Sequence, residues 1–185
     1  MDHGEIQYNT GRSWRRWRPR SPTTLRSWTT LALAAADVKS AGGSAEVAVL
    51  DALDERAVEE HAQAVVAKAG SIDISFNLVT RGDVQGTPLV DMTVADLVRP
   101  ITIGITTNFL TARAAARHMI RQESGVILAL DSGSANGSPM MGGTGPADAA
   151  TDILIRNLAS EVGPLDPGEK ALGPAIPPPE NREPG

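Results

Sequence analysis

The sequence predicts an α/β fold in which a parallel β-sheet is covered by helices on both faces. The first observation is that short apolar, β-branched runs alternate with longer helical patterns between residues 37 and 163, as is typical of successive β–α–β units. The second is that 41% of the 185 residues are apolar but only 3% are aromatic. Aliphatic side chains must therefore supply the core of a single domain.

Three segments are predicted to be strands: "EVAVL" (46–50), "IDISFN" (72–77) and "GVILAL" (125–130). Ligands of open parallel sheets bind at the carboxyl ends of the strands. Those ends fall at Asp51, at Asn77 and in the loop that opens at Asp131.

Four helical segments precede, separate or follow these strands. "LALAAADVKSA" (31–41) ends at a glycine pair, and an apolar stripe from Val58 to Ala69 follows a capping residue, Asp54. "TVAD" (93–96) resembles a capping box, and Pro100 allows a break or a fresh start. Two further apolar stripes predict helices over 101–122 and 147–162.

Both ends of the chain differ in composition from its middle. Residues 1–30 are rich in arginine and tryptophan, and we expect them to be atypical or disordered, although they could also grip phosphates, bind an anionic membrane surface or mimic an export signal. Residues 164–185 are rich in proline and are expected to form a mobile tail. The predicted domain therefore covers residues 31–163.

Composition also limits the classes of partner. The net charge of −5 argues against nucleic-acid binding, and no apolar run approaches the ~20 residues that span a bilayer. There is no cysteine, so we expect a reducing compartment, the cytoplasm. The three histidines lack the spacing of metal ligands, so no metal site is predicted.

The middle of the chain resembles the short-chain dehydrogenase/reductase family in five segments that occur in the expected order. These segments are "VAVLDALDE", "GSIDISFN", "FLTARAAARHM", "GVILALDSGSA" and "GGTGPADAATDILIRNLASEVGP". The resemblance implies a Rossmann-like, doubly wound parallel sheet, with NAD or NADP as cofactor and a small alcohol or carbonyl compound as substrate. It also implies a homo-oligomer formed through helices 101–122 and 147–162.

The resemblance assigns a role to three residues. Ser132 takes the position of the catalytic serine, which hydrogen-bonds the substrate oxygen, although Ser134 and an ordinary loop serine remain alternatives. Asp51 takes the position of the aspartate that faces the adenine ring. Asn77 begins the turn after the next strand, where the family has Asn-Asn-Ala-Gly.

The remaining catalytic positions depart from the family pattern. Thr144 replaces the tyrosine, Asp148 replaces the lysine one helical turn later, and Gly104 replaces the asparagine of the proton relay. An aliphatic hydroxyl is a far weaker acid than a phenol with a pKa near ~10, and an aspartate reverses the charge that lysine would supply. Of the glycine-rich loop, only Thr10-Gly11 is present.

The departures also affect the predicted topology. A sheet ordered 3-2-1-4-5-6 places "EVAVL" third and "IDISFN" fourth, so residues 1–30 would have to supply both intervening strands, and they have poor strand character. The predicted sheet is therefore incomplete at its first strands. We expect a catalytically impaired homologue, a pseudoenzyme; the alternatives are a non-catalytic dimerisation or interaction module, and a degraded or frameshifted fragment of such an enzyme.

Overall fold

The computed structural model describes residues 28–163, and this part of the chain forms four helices and two strands. In chain order these are α1 (Trp28–Ser40), α2 (Glu55–Ala69), β1 (Ile74–Asn77), α3 (Val94–Gln122), β2 (Val126–Ala129) and α4 (Thr144–Val162). Short 3-10 turns occur at Leu89–Asp91 and Ser134–Asn136. The predictions made for residues 1–27 and 164–185 lie outside the described residues.

β1 and β2 pair in parallel, with Ile74 opposite Val126 and Asn77 opposite Ala129. Two adjacent parallel strands need a crossover connection, and α3 supplies it. The parallel sheet and the α/β class are therefore confirmed. The strands are shorter than the apolar runs that predicted them.

The predicted strand over residues 46–50 is wrong as far as the described residues go, because none of them pairs with this segment. A β-strand is held by ladder hydrogen bonds to a neighbour, and an apolar run cannot replace that neighbour. Leu50 and Ala52 nevertheless pack into the core. The end of the segment is therefore buried, whereas Val49 is 48% exposed and no residue of the segment belongs to the sheet.

α2 begins and ends where its sequence signals predict. The Asp54 carboxylate accepts hydrogen bonds from the backbone N–H groups of Arg56 at 2.9 Å and Ala57 at 3.1 Å, which satisfies donors that the first turn leaves unpaired. Gly70 ends the helix with φ of 88°, in the left-handed region that favours glycine. Val58 and Ala62 on the inner face are buried.

α3 begins after its cap Thr93, whose hydroxyl accepts a hydrogen bond from the backbone N–H of Asp96 at 3.1 Å. The helix then runs without interruption through Pro100, so the structure has neither the break nor the fresh start that this residue allows. The proline ring is buried and lies close to Gly143, next to the first turn of α4. Tertiary packing here outweighs the backbone hydrogen bond that proline removes.

The main core lies between α2, α3 and the strands. Its buried side chains are aliphatic, as the composition predicts, and comprise Leu50, Ala52, Val58, Ala62, Ile72, Leu110, Ala114, Ala115 and Met119. Burying one side chain such as Ile72 contributes roughly 1.5–3 kcal/mol. α4 packs against the other part of α3, where Ala112, Ala116 and Ala147 are buried.

Candidate active site

Three segments meet at the carboxyl ends of β1 and β2. The loop after β1 carries Arg81 and Asp83, the loop after β2 carries Ser132 and Ser134, and the first turns of α4 carry Thr144 and Asp148. Side-chain hydrogen bonds connect all three segments. The structure therefore brings Ser132 together with the two residues that replace the tyrosine and the lysine.

The Asp148 carboxylate is at the centre of this cluster, and its side chain is 0% exposed. Its Oδ2 accepts hydrogen bonds from the Ser132 hydroxyl at 2.6 Å, the Ser132 N–H at 3.1 Å and the Ser134 N–H at 3.3 Å. Its Oδ1 accepts one from Nη1 of Arg81 at 2.7 Å. Both oxygens are thus bound by groups that do not belong to α4.

The two serine hydroxyls have a defined order. Ser132 Oγ and Ser134 Oγ are 2.6 Å apart, and an ionised carboxylate can only accept. Ser132 must therefore donate its proton to Asp148, and Ser134 donates to Ser132. Ser132 is itself exposed, but its hydroxyl proton is already hydrogen-bonded to Asp148.

Arg81 supplies a positive charge that the sequence pattern does not reveal. Its side chain is 15% exposed and also lies 3.4 Å from Oδ1 of Asp83. A Cβ added at Gly104 would lie 2.8 Å from Cδ of Arg81, closer than two carbon atoms approach without displacement. Gly104, where the family resemblance places the relay asparagine, therefore leaves the space through which Arg81 reaches Asp148.

Thr144 is also engaged within the cluster and is 1% exposed. Its hydroxyl donates a hydrogen bond to Oδ1 of Asp83 at 2.8 Å, while Nε2 of Gln85 lies 3.4 Å from the same hydroxyl oxygen. The hydroxyl proton thus points at a carboxylate. Thr144 has neither the acidity nor the free proton that the replaced phenol would offer.

The surroundings of Asp148 keep it ionised. Burial by itself raises the pKa of this carboxyl group, but the hydrogen bonds from Ser132 and Arg81 and the charge of Arg81 together outweigh burial, so that its pKa is lowered. A carboxylate with a lowered pKa is a weak base and cannot donate a proton near neutral pH. Asp148 therefore replaces neither the proton donor nor the cation of the family's site.

Sequence reasoning located Ser132, Thr144 and Asp148 but missed Arg81 and Asp83. Both lie in a loop without regular structure, and no spacing rule connects them to α4. A buried carboxylate must be paired or hydrogen-bonded, so the apolar face around Asp148 was the one available signal that a cation would be found opposite it.

Asp51 takes no part in the hydrogen bonds of this cluster. Its Oδ1 accepts a hydrogen bond from the backbone N–H of Leu53 at 2.9 Å, and the exposed residue borders a cavity of about 200 Å³. The cavity is lined by residues of the segment 51–53, of the loop after β1 and of α3, among them Ala52, Leu53, Val79, Thr80, Arg99 and Ile103. Its volume is below the ~300–1,000 Å³ that is usual for pockets enclosing a whole ligand.

Asn77 ends β1 and is 7% exposed. Its Oδ1 accepts a hydrogen bond from the backbone N–H of Val79 at 2.9 Å, which shapes the turn that follows the strand. Its Nδ2 is buried and has no acceptor among the described residues. A buried donor of this kind is a place where a further oxygen atom would be favourable.

Asp51 and Asn77 carry the kinds of group that can bind a dinucleotide cofactor. Asp51 offers an acceptor at the edge of the cavity, and Asn77 offers a donor at the end of β1. The positions of the glycine-rich loop lie outside the described residues. Between residues 28 and 163 no group of three or more His, Asp or Glu side chains could hold a metal ion.

In the same part of the chain, no helix has the length and the apolar character that crossing a bilayer requires.

An α/β domain with its polar cluster and cavity at the carboxyl ends of parallel strands belongs to the class of nucleotide-binding α/β folds. The family model described as "Enoyl-(Acyl carrier protein) reductase" matches residues 28–166. Because this match covers most of the sequence, the chain belongs to the short-chain dehydrogenase/reductase family.

Known proteins similar to this chain include one curated relative and two solved structures. The relative is hydroxysteroid dehydrogenase-like protein 2 of Danio rerio, 31% identical over 101 residues, which are 55% of this chain and 24% of that protein. The NAD⁺-bound xylitol dehydrogenase has a TM-score of 0.67 and 30% identity over 74% of this chain and 52% of its own. A metagenomic short-chain oxidoreductase in complex with NADP has a TM-score of 0.65 and 25% identity, over 74% of this chain and 62% of its own.

The similar part of the chain is therefore shorter than the proteins that it resembles. It spans about a quarter of the Danio rerio protein and about half of the xylitol dehydrogenase. The two solved structures carry NAD⁺ and NADP respectively, and they confirm the Rossmann-like fold class of the described residues.

Proposed function

We propose that this protein is a catalytically impaired oxidoreductase homologue that binds NAD or NADP but does not transfer protons to or from an alcohol or carbonyl substrate. Membership of the family and the dinucleotides in the two solved structures support the cofactor. The absence of cysteine supports a reducing compartment, and we place the protein in the cytoplasm.

The observation that carries the impairment is the 2.6 Å hydrogen bond from the Ser132 hydroxyl to Asp148. A serine that is to polarise a substrate carbonyl must have its proton available to that oxygen. Here a permanent, buried carboxylate takes the proton, and its negative charge would also oppose an oxyanion beside it. The only tyrosine of the chain, Tyr8, is distant in sequence.

The proposed cofactor contacts use Asp51 and Asn77. The Asp51 carboxylate would accept a hydrogen bond from the adenine amino group, and the unpartnered Nδ2 of Asn77 would donate to an oxygen of the bound nucleotide. The cofactor, when bound, supplies hydride chemistry. The residues of this chain bind and orient it.

The test is a calorimetric titration of the purified chain with NAD⁺, NADH, NADP⁺ and NADPH, together with turnover assays on secondary alcohols and ketones. We expect binding of at least one dinucleotide without turnover, and we expect Asp51→Ala to weaken binding about tenfold, the loss of one hydrogen bond to a charged group. Asp91→Ala, an exposed carboxylate in the turn at Leu89–Asp91, is the matched control.

Two results would count against the proposal. Oxidation of a secondary alcohol that Ser132→Ala abolishes would contradict the impairment. Absence of heat and of any protection against unfolding with all four nucleotides would contradict the cofactor.

A second proposed function is a non-catalytic interaction module that forms a homo-oligomer through helices 101–122 and 147–162. The observation that favours it is the set of large apolar side chains left exposed on α3 and α4, namely Phe109, Ile120, Ile153 and Val162. Exposed apolar groups of this size on neighbouring helices favour association. Such a role needs no proton transfer and is compatible with the cluster around Asp148.

A further inference from the structure

The groups that bind Asp148 form a complete set of donors for one carboxylate. Two backbone N–H groups and one hydroxyl converge on Oδ2, and a guanidinium binds Oδ1. Oxyanion sites in proteins are built from these same donor types, with charge-assisted hydrogen bonds contributing most.

The donors come from outside the helix that carries the carboxylate. Arg81 extends from the loop after β1, whereas Ser132 and Ser134 belong to the loop after β2. Only the carboxylate belongs to α4. The donor groups therefore form a binding site, and the Asp148 carboxylate is bound in it although it belongs to the same chain.

The donor groups are also held in place by contacts that do not involve Asp148. Arg81 lies 3.4 Å from Asp83, the other carboxylate that faces its guanidinium. In the serine loop the Ser134 hydroxyl binds Ser132 Oγ at 2.6 Å, the Asp131 carboxylate accepts the Gly133 N–H at 2.7 Å, and the 3-10 turn closes from Gly137 to Ser134 at 3.1 Å. These contacts would remain if the side chain of residue 148 were shortened.

We propose that Arg81, Ser132 and the backbone of Ser134 form a receptor for a single carboxylate group, which this chain occupies with its own Asp148. The receptor, when vacated by truncation of residue 148, binds a small free monocarboxylate such as formate. The cavity beside Asp51 is lined by Thr80 and Gly82, the neighbours of Arg81, but not by Arg81, Ser132, Ser134 or Asp148 themselves, and formate binding at position 148 does not require a bound dinucleotide.

The ligand class follows from the geometry. The donors address two oxygens from two sides, three on one oxygen and one on the other, which suits a planar, forked anion rather than a spherical one such as chloride. The space freed by Asp148→Ala is that of one carboxylate group. Formate therefore fits better than acetate, whose methyl group would meet the shortened side chain at position 148.

The test follows the thermal unfolding midpoint of full-length Asp148→Ala while sodium formate replaces sodium chloride at constant ionic strength and pH 7. We expect formate to raise the midpoint by several degrees in this variant, acetate to raise it less, and neither to change the unsubstituted protein. Asp152→Ala, which removes an exposed carboxylate on the same helix paired with Arg156, is the matched control and should not respond.

A second experiment removes the guanidinium of Arg81 from the binding site. In the double variant Arg81→Met, Asp148→Ala, we expect the formate response to fall at least tenfold in apparent affinity, because the charged donor is gone. ¹³C-labelled formate observed by NMR should broaden with Asp148→Ala and stay sharp with the double variant.

If Asp148→Ala is unfolded in chloride, circular dichroism should show that formate restores its helical signal. Equal responses of Asp148→Ala and Asp152→Ala to formate, or no recovery of an unfolded Asp148→Ala, would overturn the proposal. So would a response that Arg81→Met leaves intact.

Discussion

Gly104 and Arg81 share one small volume between α3 and the start of α4. A Cβ at residue 104 would lie 2.8 Å from Cδ of Arg81 and 3.7 Å from Cβ of Ala147. Arg81 cannot simply move aside, because its guanidinium is fixed by Asp148 at 2.7 Å. The ion pair between Arg81 and Asp148 therefore requires glycine at position 104.

Because residue 104 and Arg81 compete for the same space, substitutions at the two positions should not have independent effects on stability. We expect Gly104→Ala to destabilise the protein by roughly 1–3 kcal/mol through overpacking, and Arg81→Ala by about 3–5 kcal/mol because it leaves a buried carboxylate without its cation. The double variant should cost at least ~0.5 kcal/mol less than the sum, the size of coupling expected between touching residues. Urea unfolding of the four proteins measures the cycle.

A control cycle pairs Gly104→Ala with Arg156→Ala. Arg156 is exposed and binds Asp152 one turn earlier on α4, so these two effects should be additive. Additive effects in the Arg81 cycle as well would show that the two residues do not compete for space.

The sequence could predict one half of the cluster at Asp148 and not the other. Ser132, in the loop before α4, and Asp148, on α4, are 16 positions apart, and the resemblance places both at catalytic positions of the family. Arg81 and Asp148 are 67 positions apart, and only the pairing of β1 with β2 brings the loop after β1 next to the start of α4. Long-range contacts of this kind depend on the completed fold, which no local pattern encodes.

At the scale of elements, the chain entering α4 lies in close contact with α3 at Gly143, the residue before α4. A Cβ at this position would lie 2.1 Å from the carbonyl oxygen of Leu97 and 2.6 Å from Cγ of Pro100. Gly143 has φ of −75°, which every residue can adopt. The glycine is therefore required for space and not for its backbone conformation.

We predict that Gly143→Ala destabilises the protein by roughly 1–3 kcal/mol, because α4 must move away from α3. Gly133→Ala is the comparison, since Gly133 has φ of +74° and open surroundings, so that only backbone strain of about 1 kcal/mol is expected. Urea unfolding gives both values. A smaller cost for Gly143→Ala than for Gly133→Ala would mean that the helix contact adjusts freely.

The elements also show which sequence signals were sufficient. Apolar stripes predicted α2, α3 and α4, and capping residues marked the starts of α2 and α3, because both signals are local. Pro100 was less informative, since a buried contact with Gly143 outweighed its effect on the helix. "EVAVL" was misread because the apolar run carries no information on whether a partner strand is present.

At the scale of the whole molecule, large apolar side chains on α3 and α4 are left exposed. Ile120 is 54% exposed and Ile153 is 56% exposed, and Phe109 and Val162 on the same two helices are exposed as well. Burying these side chains in an interface would contribute roughly 25 cal/mol for each Å² of apolar surface removed from water.

We predict that the protein is a homo-oligomer and that Ile120→Glu combined with Ile153→Glu converts it to monomers, because each introduces a charge that an apolar interface cannot solvate. Multi-angle light scattering should show the mass fall to that of one chain. Val90→Glu is the control, since Val90 is 91% exposed and lies outside these helices. A monomeric unsubstituted protein would contradict the interaction module.

The buried ion pair has a consequence for any attempt to engineer the family's catalytic residues into this chain. A lysine placed alone at position 148 would face the guanidinium of Arg81, and an apolar residue placed alone at position 81 would leave the buried carboxylate of Asp148 without its cation. A side chain at position 104 would meet Arg81 for as long as that arginine is present. Each of these single substitutions is expected to lower the stability of the protein, so the three positions have to be exchanged together.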